Sequence, residues 1–164
     1  MLYCLFIYIS LFQLSWTQYS PAGENFTFNV PSSIQILKGE KEILSSSGPL
    51  NLVIYKSQDN DEFDNSFTLS FIDYGSEVVG DRELQDSIIQ ETIYGLPGEL
   101  IYEQVSQKLG KIVRVARKKM VKEKLYSKSY LFFDAHRFYI MLVYTPEENS
   151  LNENIDRFLN SFRK

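Results

Sequence analysis

Residues 138–144 read Phe-Tyr-Ile-Met-Leu-Val-Tyr, a run that is apolar on both faces of a β-strand. Successive side chains of a strand point to opposite sides, so that Phe138 and Ile140 face one way and Tyr139 and Met141 the other. A strand with two apolar faces belongs in the interior of a sheet that is covered on both sides. The sequence therefore predicts a layered domain with this strand at its centre.

Two helices are predicted as the cover. Residues 150–153 read Ser-Leu-Asn-Glu, the pattern of a capping box, and an apolar stripe with helical spacing follows to residue 163. An earlier helix is predicted to begin after Asp81, a favourable N-cap residue, and to end at Gly95. The members of the second stripe are Leu151, Ile155, Phe158, Leu159 and Phe162.

The remaining patterns predict strands joined by short turns. Residues 108–111 and 134–137 are hairpin-sized connections, which imply antiparallel neighbours. Residues 38–41 also read as a turn. The expected fold class is α+β, a mainly antiparallel sheet with helices packed on its faces. The other strands are predicted at 26–30, 34–37, 50–55, 66–74, 100–107, 112–120 and 125–133.

The chain opens with an apolar run, residues 2–14, of the length of a signal peptide and short for a membrane span. We expect residues 1–22 to be a signal peptide, cleaved between Thr17 and Gly23, or an uncleaved anchor. Residues 23–164 are then a single exported domain, periplasmic or extracellular. The one cysteine, Cys4, would leave with the peptide, so that a processed chain would hold no disulfide and no thiolate metal ligand.

Several strings in the predicted elements resemble the PsbP-like superfamily of α/β/α sandwich domains. This group includes photosystem accessory subunits, a Ran-binding nuclear import factor and exported bacterial domains. The resemblance implies the sandwich fold and action through partners, and it brings no catalytic residues with it. The matching strings are FTFNVP at 26–31, FTLSFIDY at 67–74, GLPGE at 95–99, RFYIMLVY at 137–144 and FLNSF at 158–162.

Charge is unevenly distributed along the chain. Residues 1–94 hold 4 basic and 13 acidic side chains, whereas residues 95–164 hold 13 and 8, which gives −9 and +5. The basic excess is concentrated at residues 108–128, a predicted hairpin that can bind anionic lipid headgroups, acidic polysaccharide or an acidic protein patch. Alternatively, these side chains only keep an edge hairpin soluble. The candidate residues are Arg114, Arg117, Lys118, Lys119, Lys122 and Lys124.

Sequence patterns typical of catalytic or metal sites are weaker than the basic pattern at residues 108–128. His136, the one histidine, lies in a predicted turn beside Asp134, and no zinc or phosphate-binding motif is apparent. Asp59, Asp61 and Asp64 can be a solvated loop or, alternatively, calcium ligands. We expect no cofactor, no metal and no nucleic-acid partner, with membrane contact through the basic hairpin or an uncleaved N-terminus. The leading hypothesis is a non-catalytic exported binding or assembly domain. The alternatives are a polyanion- or lipid-binding module and a hydrolase-type enzyme with unidentified carboxylates.

Overall fold

A computed structural model describes residues 15–45 and 48–164. Its centre is a seven-stranded antiparallel sheet with the strand order β3-β4-β5-β9-β8-β7-β6, beside a two-stranded sheet of β1 and β2. The strands are β1 Trp16–Tyr19, β2 Phe28–Pro31, β3 Ile36–Ser45, β4 Gly48–Ser57, β5 Ser66–Asp73, β6 Glu99–Lys108, β7 Lys111–Met120, β8 Leu125–Asp134 and β9 Arg137–Pro146. The helices are α1 Arg82–Gly95 and α2 Glu153–Leu159, with 3₁₀ turns at Ser76–Val78 and Glu147–Asn149.

The two-faced run forms β9, which lies fourth of the seven strands and pairs with β5 and β8. Tyr139, Met141 and Val143 belong to the larger of two cores, and Phe138 to the smaller. We call the two sides of the sheet the α2 face and the α1 face, after the helix that packs on each. The predicted fold class, α+β with a mainly antiparallel sheet, is confirmed.

Aromatic packing dominates the α2 face. Phe158 of α2 contacts Phe28 of β2 at 6.0 Å and Phe67 of β5 at 5.1 Å between ring centroids. Phe162, just past the helix, packs against Tyr139 at 4.9 Å. Edge-to-face and tilted ring pairs of this kind add to the free energy gained by burial. They attach the C-terminal helix and the β1–β2 pair to the sheet.

The α1 face is covered by a helix that begins where the sequence predicts. The Asp81 side chain accepts a hydrogen bond from the backbone N–H of Leu84, and the helix ends at Gly95. Ile89 and Ile93 are its buried residues, and they pack in the smaller core with Phe138. Ile88 packs beside them, half-buried, and most of the other α1 side chains face solvent or the polar groups of β6 and β7.

The predicted turn at residues 38–41 is wrong. These residues lie within β3, where Lys38 pairs with Tyr55 and Gly39 with Ile54. The pairing of β3 with β4 continues to Ser45 and Gly48, and residues 46–47 between them are outside the described part. An edge strand with one solvated side tolerates a charged run that resembles a turn.

The C-terminal helix is shorter than predicted. It begins at Glu153, and Asn152 takes the N-cap position without a side-chain capping hydrogen bond, so the predicted capping box at Ser150 does not form. Leu151 is 85% exposed and does not belong to the apolar stripe. Phe162 is buried beyond the helix, where Thr27 and Arg163 form an antiparallel bridge. That bridge holds the chain end against β2.

Strand β1 lies before residue 23, where the predicted exported domain begins, and that boundary stays a prediction. Trp16–Tyr19 forms β1, paired in register with Phe28–Pro31, and the Trp16 ring lies 6.0 Å from Phe67. The apolar run at residues 2–14 is outside the described residues. Within the described part, no helix is long and apolar enough to cross a membrane.

Candidate functional site

The basic hairpin of β7 and β8 divides its charges between the two faces of the sheet. Arg117 and Lys119 point to the α2 face, and both lie over the ring of Tyr126, at 4.8 and 5.1 Å from its centroid. Lys119 also pairs with Glu147 at 2.8 Å, which raises the pKa of Lys119 and lowers the pKa of Glu147. Arg117 donates to the carbonyl oxygen of Ser150. These two candidates are therefore engaged within the domain.

Lys118 points to the α1 face and is buried, 4% exposed. Its ammonium group donates to the carbonyl oxygens of Ile93 and Leu96, which are at the C-terminal end of α1. Burial lowers the pKa of Lys118. The structure thus places this candidate under a helix end, away from any surface that an external anion can reach.

Lys122 and Lys124 occupy the turn between β7 and β8. Both are exposed, and neither forms an ion pair with another residue of the described part. Lys124 adopts a left-handed backbone conformation with φ 52°, and its carbonyl oxygen accepts from the N–H of Glu147. Val121 beside them is 58% exposed. Of the six basic candidates, only these two are exposed.

His136 is exposed in the β8–β9 turn, and its Nε2 lies 3.3 Å from Asp73. Asp73 also contacts Nε of Arg137, whose Nη1 pairs with Glu24 at 2.5 Å. Burial by itself would lower the pKa of Arg137, but the interactions with Glu24 and Tyr139 together outweigh it, and the pKa is raised. The imidazole is thus placed beside a carboxylate already paired with a guanidinium, rather than beside a serine hydroxyl as a hydrolytic triad requires.

Asp61 is neither solvated nor arranged as a cation ligand. Its carboxylate accepts four hydrogen bonds: from the N–H groups of Phe63 and Asn65, and from the side-chain amides of Asn65 and Asn154. It is buried, whereas Asp59 and Asp64 are exposed. The interpretation of all three as a solvated loop is therefore wrong for Asp61. This carboxylate fastens the β4–β5 loop to α2.

A cleft of about 350 Å³ lies on the α1 face, between the first half of α1 and strands β6 to β8. Arg114 stands in it, with Nη1 2.5 Å from Glu103 and Nη2 2.9 Å from Asp86. Gln90 of α1 donates to the same oxygen of Glu103 at 2.6 Å. The cleft is lined by Arg82, Gln85, Asp86, Ile89, Val105, Ile112, Arg114 and Phe133. Sequence patterns missed it, because the lining comes from four separate elements.

Strand β6 forms one edge of the large sheet, with no strand on its outer side among the described residues. A register irregularity lies between Leu100 and Tyr102, and the pairing with β7 continues regularly to Lys108. Its charged Glu103 is already occupied by Arg114 and Gln90. Exposed apolar side chains concentrate on and beside this strand: Leu100, Ile101, Tyr102, Val105 and Ile112.

The opposite edge, β3, is different in character. The middle of this strand carries Lys38, Glu40, Lys41 and Glu42, and Lys38 and Glu40 pair with each other at 2.7 Å. Charged side chains on an edge strand discourage the addition of another strand. The two edges of the sheet are therefore unequal: the middle of β3 is charged, whereas β6 and its neighbour β7 carry the larger group of exposed apolar side chains.

Comparison with known proteins bears on the fold alone. No protein-family model matches the chain, and no curated protein does. The solution structure of cyanobacterial PsbP (CyanoP) from Synechocystis sp. PCC 6803 superposes with a TM-score of 0.57 at 12% sequence identity. The match covers 94% of this chain and 95% of that one. The resemblance to PsbP-like domains is therefore confirmed at the level of the fold.

Proposed function

We propose that this PsbP-like chain is a non-catalytic binding domain that docks a protein partner along the edge of β6. The observation that carries the proposal is the apolar, unpaired edge, where Val105 is 62% exposed and neighbouring Ile112 67%. An extended segment of a partner can continue the sheet there through backbone hydrogen bonds, while its side chains cover the exposed apolar ones.

Export of the domain is part of the same proposal. It is supported by the apolar run at residues 2–14. The partner then resides in the cell envelope or outside the cell.

Site-specific photocrosslinking tests the docking surface. A benzoylphenylalanine at Val105 should yield one discrete adduct in the cells that produce the protein. The same group at Leu37, exposed on the charged β3 edge, is the matched control and should yield none. Replacing Leu100 and Tyr102 with serine should abolish the adduct, because it removes apolar contact without changing charge. Equal adduct patterns from Val105 and Leu37, or no adduct from Val105, would contradict the proposal.

A second function, contact with an anionic surface, is favoured by the turn that holds Lys122 and Lys124. Their two ammonium groups lie beside the exposed Val121, and each basic group near an anionic lipid surface adds about 1 kcal/mol of attraction. The double variant Lys122→Glu and Lys124→Glu should lose co-sedimentation with phosphatidylserine vesicles. The control pair Lys41→Glu and Lys56→Glu should retain it. Binding that is unaffected by the turn variant, or equal binding to phosphatidylcholine vesicles, would refute this function.

A further inference from the structure

We propose that the cleft between α1 and strands β6 and β7 binds a small carboxylate that carries an apolar body. Such a group occurs in a free aromatic or aliphatic acid and at the C-terminus of a polypeptide that ends in an apolar residue. The proposal does not depend on docking along the β6 edge. It rests on the shape, the lining and the charge of the cleft.

The apolar half of the cleft is formed by Ile89, Val105, Ile112 and Phe133. Val105 and Ile112 are more than half exposed, although their side chains face a concave surface. A volume of about 350 Å³ is at the small end of the range for ligand sites, roughly 300 to 1,000 Å³. One aromatic ring or a short aliphatic chain fits that space.

The charged half of the cleft favours an anion. Its lining holds two guanidinium groups, Arg82 and Arg114, against one carboxylate, Asp86. Arg82 is exposed and forms no ion pair with another residue of the described part. Arg114 has further N–H donors beyond the two that its partners use. With Glu103 counted beside Asp86, the two guanidinium groups and the two carboxylates balance. The donors left for a ligand carboxylate are those of Arg82 and the unused N–H groups of Arg114.

The two carboxylates around Arg114 have different roles. Glu103 is largely buried, accepts from both Arg114 and Gln90, and holds the guanidinium in place. Asp86 is 65% exposed, and an exposed ion pair contributes little to stability. A ligand carboxylate can take the place of Asp86 on Nη2 while Glu103 keeps Arg114 positioned. An amine would instead face two guanidinium groups and have to compete with them for Asp86.

Nuclear magnetic resonance titration with N-acetyl-L-phenylalanine tests the site. We expect the acid to shift the backbone amide signals of the first half of α1 and of residues 105, 112–114 and 133. N-acetyl-L-phenylalanine amide and phenethylamine should bind at least about tenfold more weakly, the factor that one charge-assisted hydrogen bond supplies.

The variants that test the site replace exposed side chains of α1, so that we expect them to change binding without changing the fold. Asp86→Asn should tighten binding of the acid, because it removes the competing carboxylate, and Arg82→Gln should weaken it. Glu83→Gln, on the same helix turn but outside the lining, is the control and should change nothing. Equal binding of acid and amide, preference for the amine, shifts confined to other regions, or unchanged affinity in Asp86→Asn would each overturn the proposal.

A peptide arm identifies the source of the carboxylate. The probe is acetyl-Val-Thr-Val-Phe with a free C-terminus, compared with N-acetyl-L-phenylalanine. Tighter binding of the peptide, with added shifts along β6, supports a polypeptide C-terminus as the ligand. Equal affinity supports a free acid. Absence of binding by both probes would overturn the carboxylate site. It would not affect the docking proposal, which the crosslinking result at Val105 tests separately.

Discussion

The ammonium group of Lys118 lies 2.8 Å from the carbonyl oxygen of Ile93, so that a strand side chain of the sheet caps the C-terminal end of the helix above it. The last carbonyl groups of a helix have no partner within the helix, and a cation near them is stabilising. Lys118 thus joins α1 to β7 through a buried polar contact beside the smaller apolar core.

Replacing Lys118 with methionine should therefore destabilise the protein. The variant keeps the bulk of the side chain but leaves two carbonyl oxygens at the end of α1 without their donor, at a cost of about 2 kcal/mol in the free energy of unfolding. Urea unfolding followed by circular dichroism measures this. Lys122→Met, at an exposed turn position, should stay within about 0.5 kcal/mol of the parent. Equal midpoints for the two variants would show that the capping contact contributes nothing.

Removal of β1 should weaken the fold. A chain that starts at Ser15 keeps the pairing with β2 and the stacking of Arg157 on Trp16, whereas one that starts at Ser20 loses both. The loss of a packed tryptophan alone predicts a cost of at least about 3 kcal/mol. Thermal unfolding of the two chains provides the comparison. Mass spectrometry of the protein isolated from its own cells should then find Trp16 present, and a mature chain that starts at Gly23 would contradict the role of β1.

Replacing Asp61 with alanine should cost about 3 kcal/mol, since it leaves buried amide donors of Asn65 and Asn154 without an acceptor. Asp59→Ala changes the charge equally but at an exposed position, and should be nearly neutral. Denaturant unfolding distinguishes them. Hydrogen exchange in the β4–β5 loop should also accelerate in the Asp61 variant alone. Similar losses in both variants would point to loop charge instead of the hydrogen-bonded carboxylate.

Alkaline pH should reveal the burial of Tyr130. Burial raises the pKa of Tyr130 to about 12, above the value of about 10 expected in an unfolded chain. Between these values the unfolded chain loses the proton first. The contribution of Tyr130 to stability is therefore complete below pH 10 and is lost as the pH rises toward 12, up to about 3 kcal/mol.

The comparison that tests it is Tyr130→Phe against the parent, at pH 8 and at pH 11.5. The variant should lose less stability between the two values, because it has no phenol to ionise. If the stabilities of parent and variant fall in parallel over that range, Tyr130 does not have different pKa values in the folded and unfolded chains.

Much of the fold was predictable because its signals are local. The alternation in residues 138–144 indicated an interior strand, and Asp81 and Gly95 marked both ends of α1. The charged run at Lys38 to Lys41 misled the prediction, since an edge strand and a solvated turn expose the same side chains. Leu151 misled it in the opposite way, because it has helical spacing with Ile155 but lies before the helix, in solvent.

The sequence by itself determined most of the secondary elements, the two-faced central strand and the position of the basic hairpin, because these depend on side chains a few residues apart. Only the tertiary structure decided which of the basic groups are free. Arg114 pairs with Asp86, 28 residues away, and Lys118 is buried under α1. Lys122 and Lys124 are exposed and form no ion pair with another described residue. Burial and ion pairing depend on elements distant along the chain, and no local pattern records their meeting. The sequence did not predict the cleft beside β6 for the same reason, because its lining comes from four separate elements.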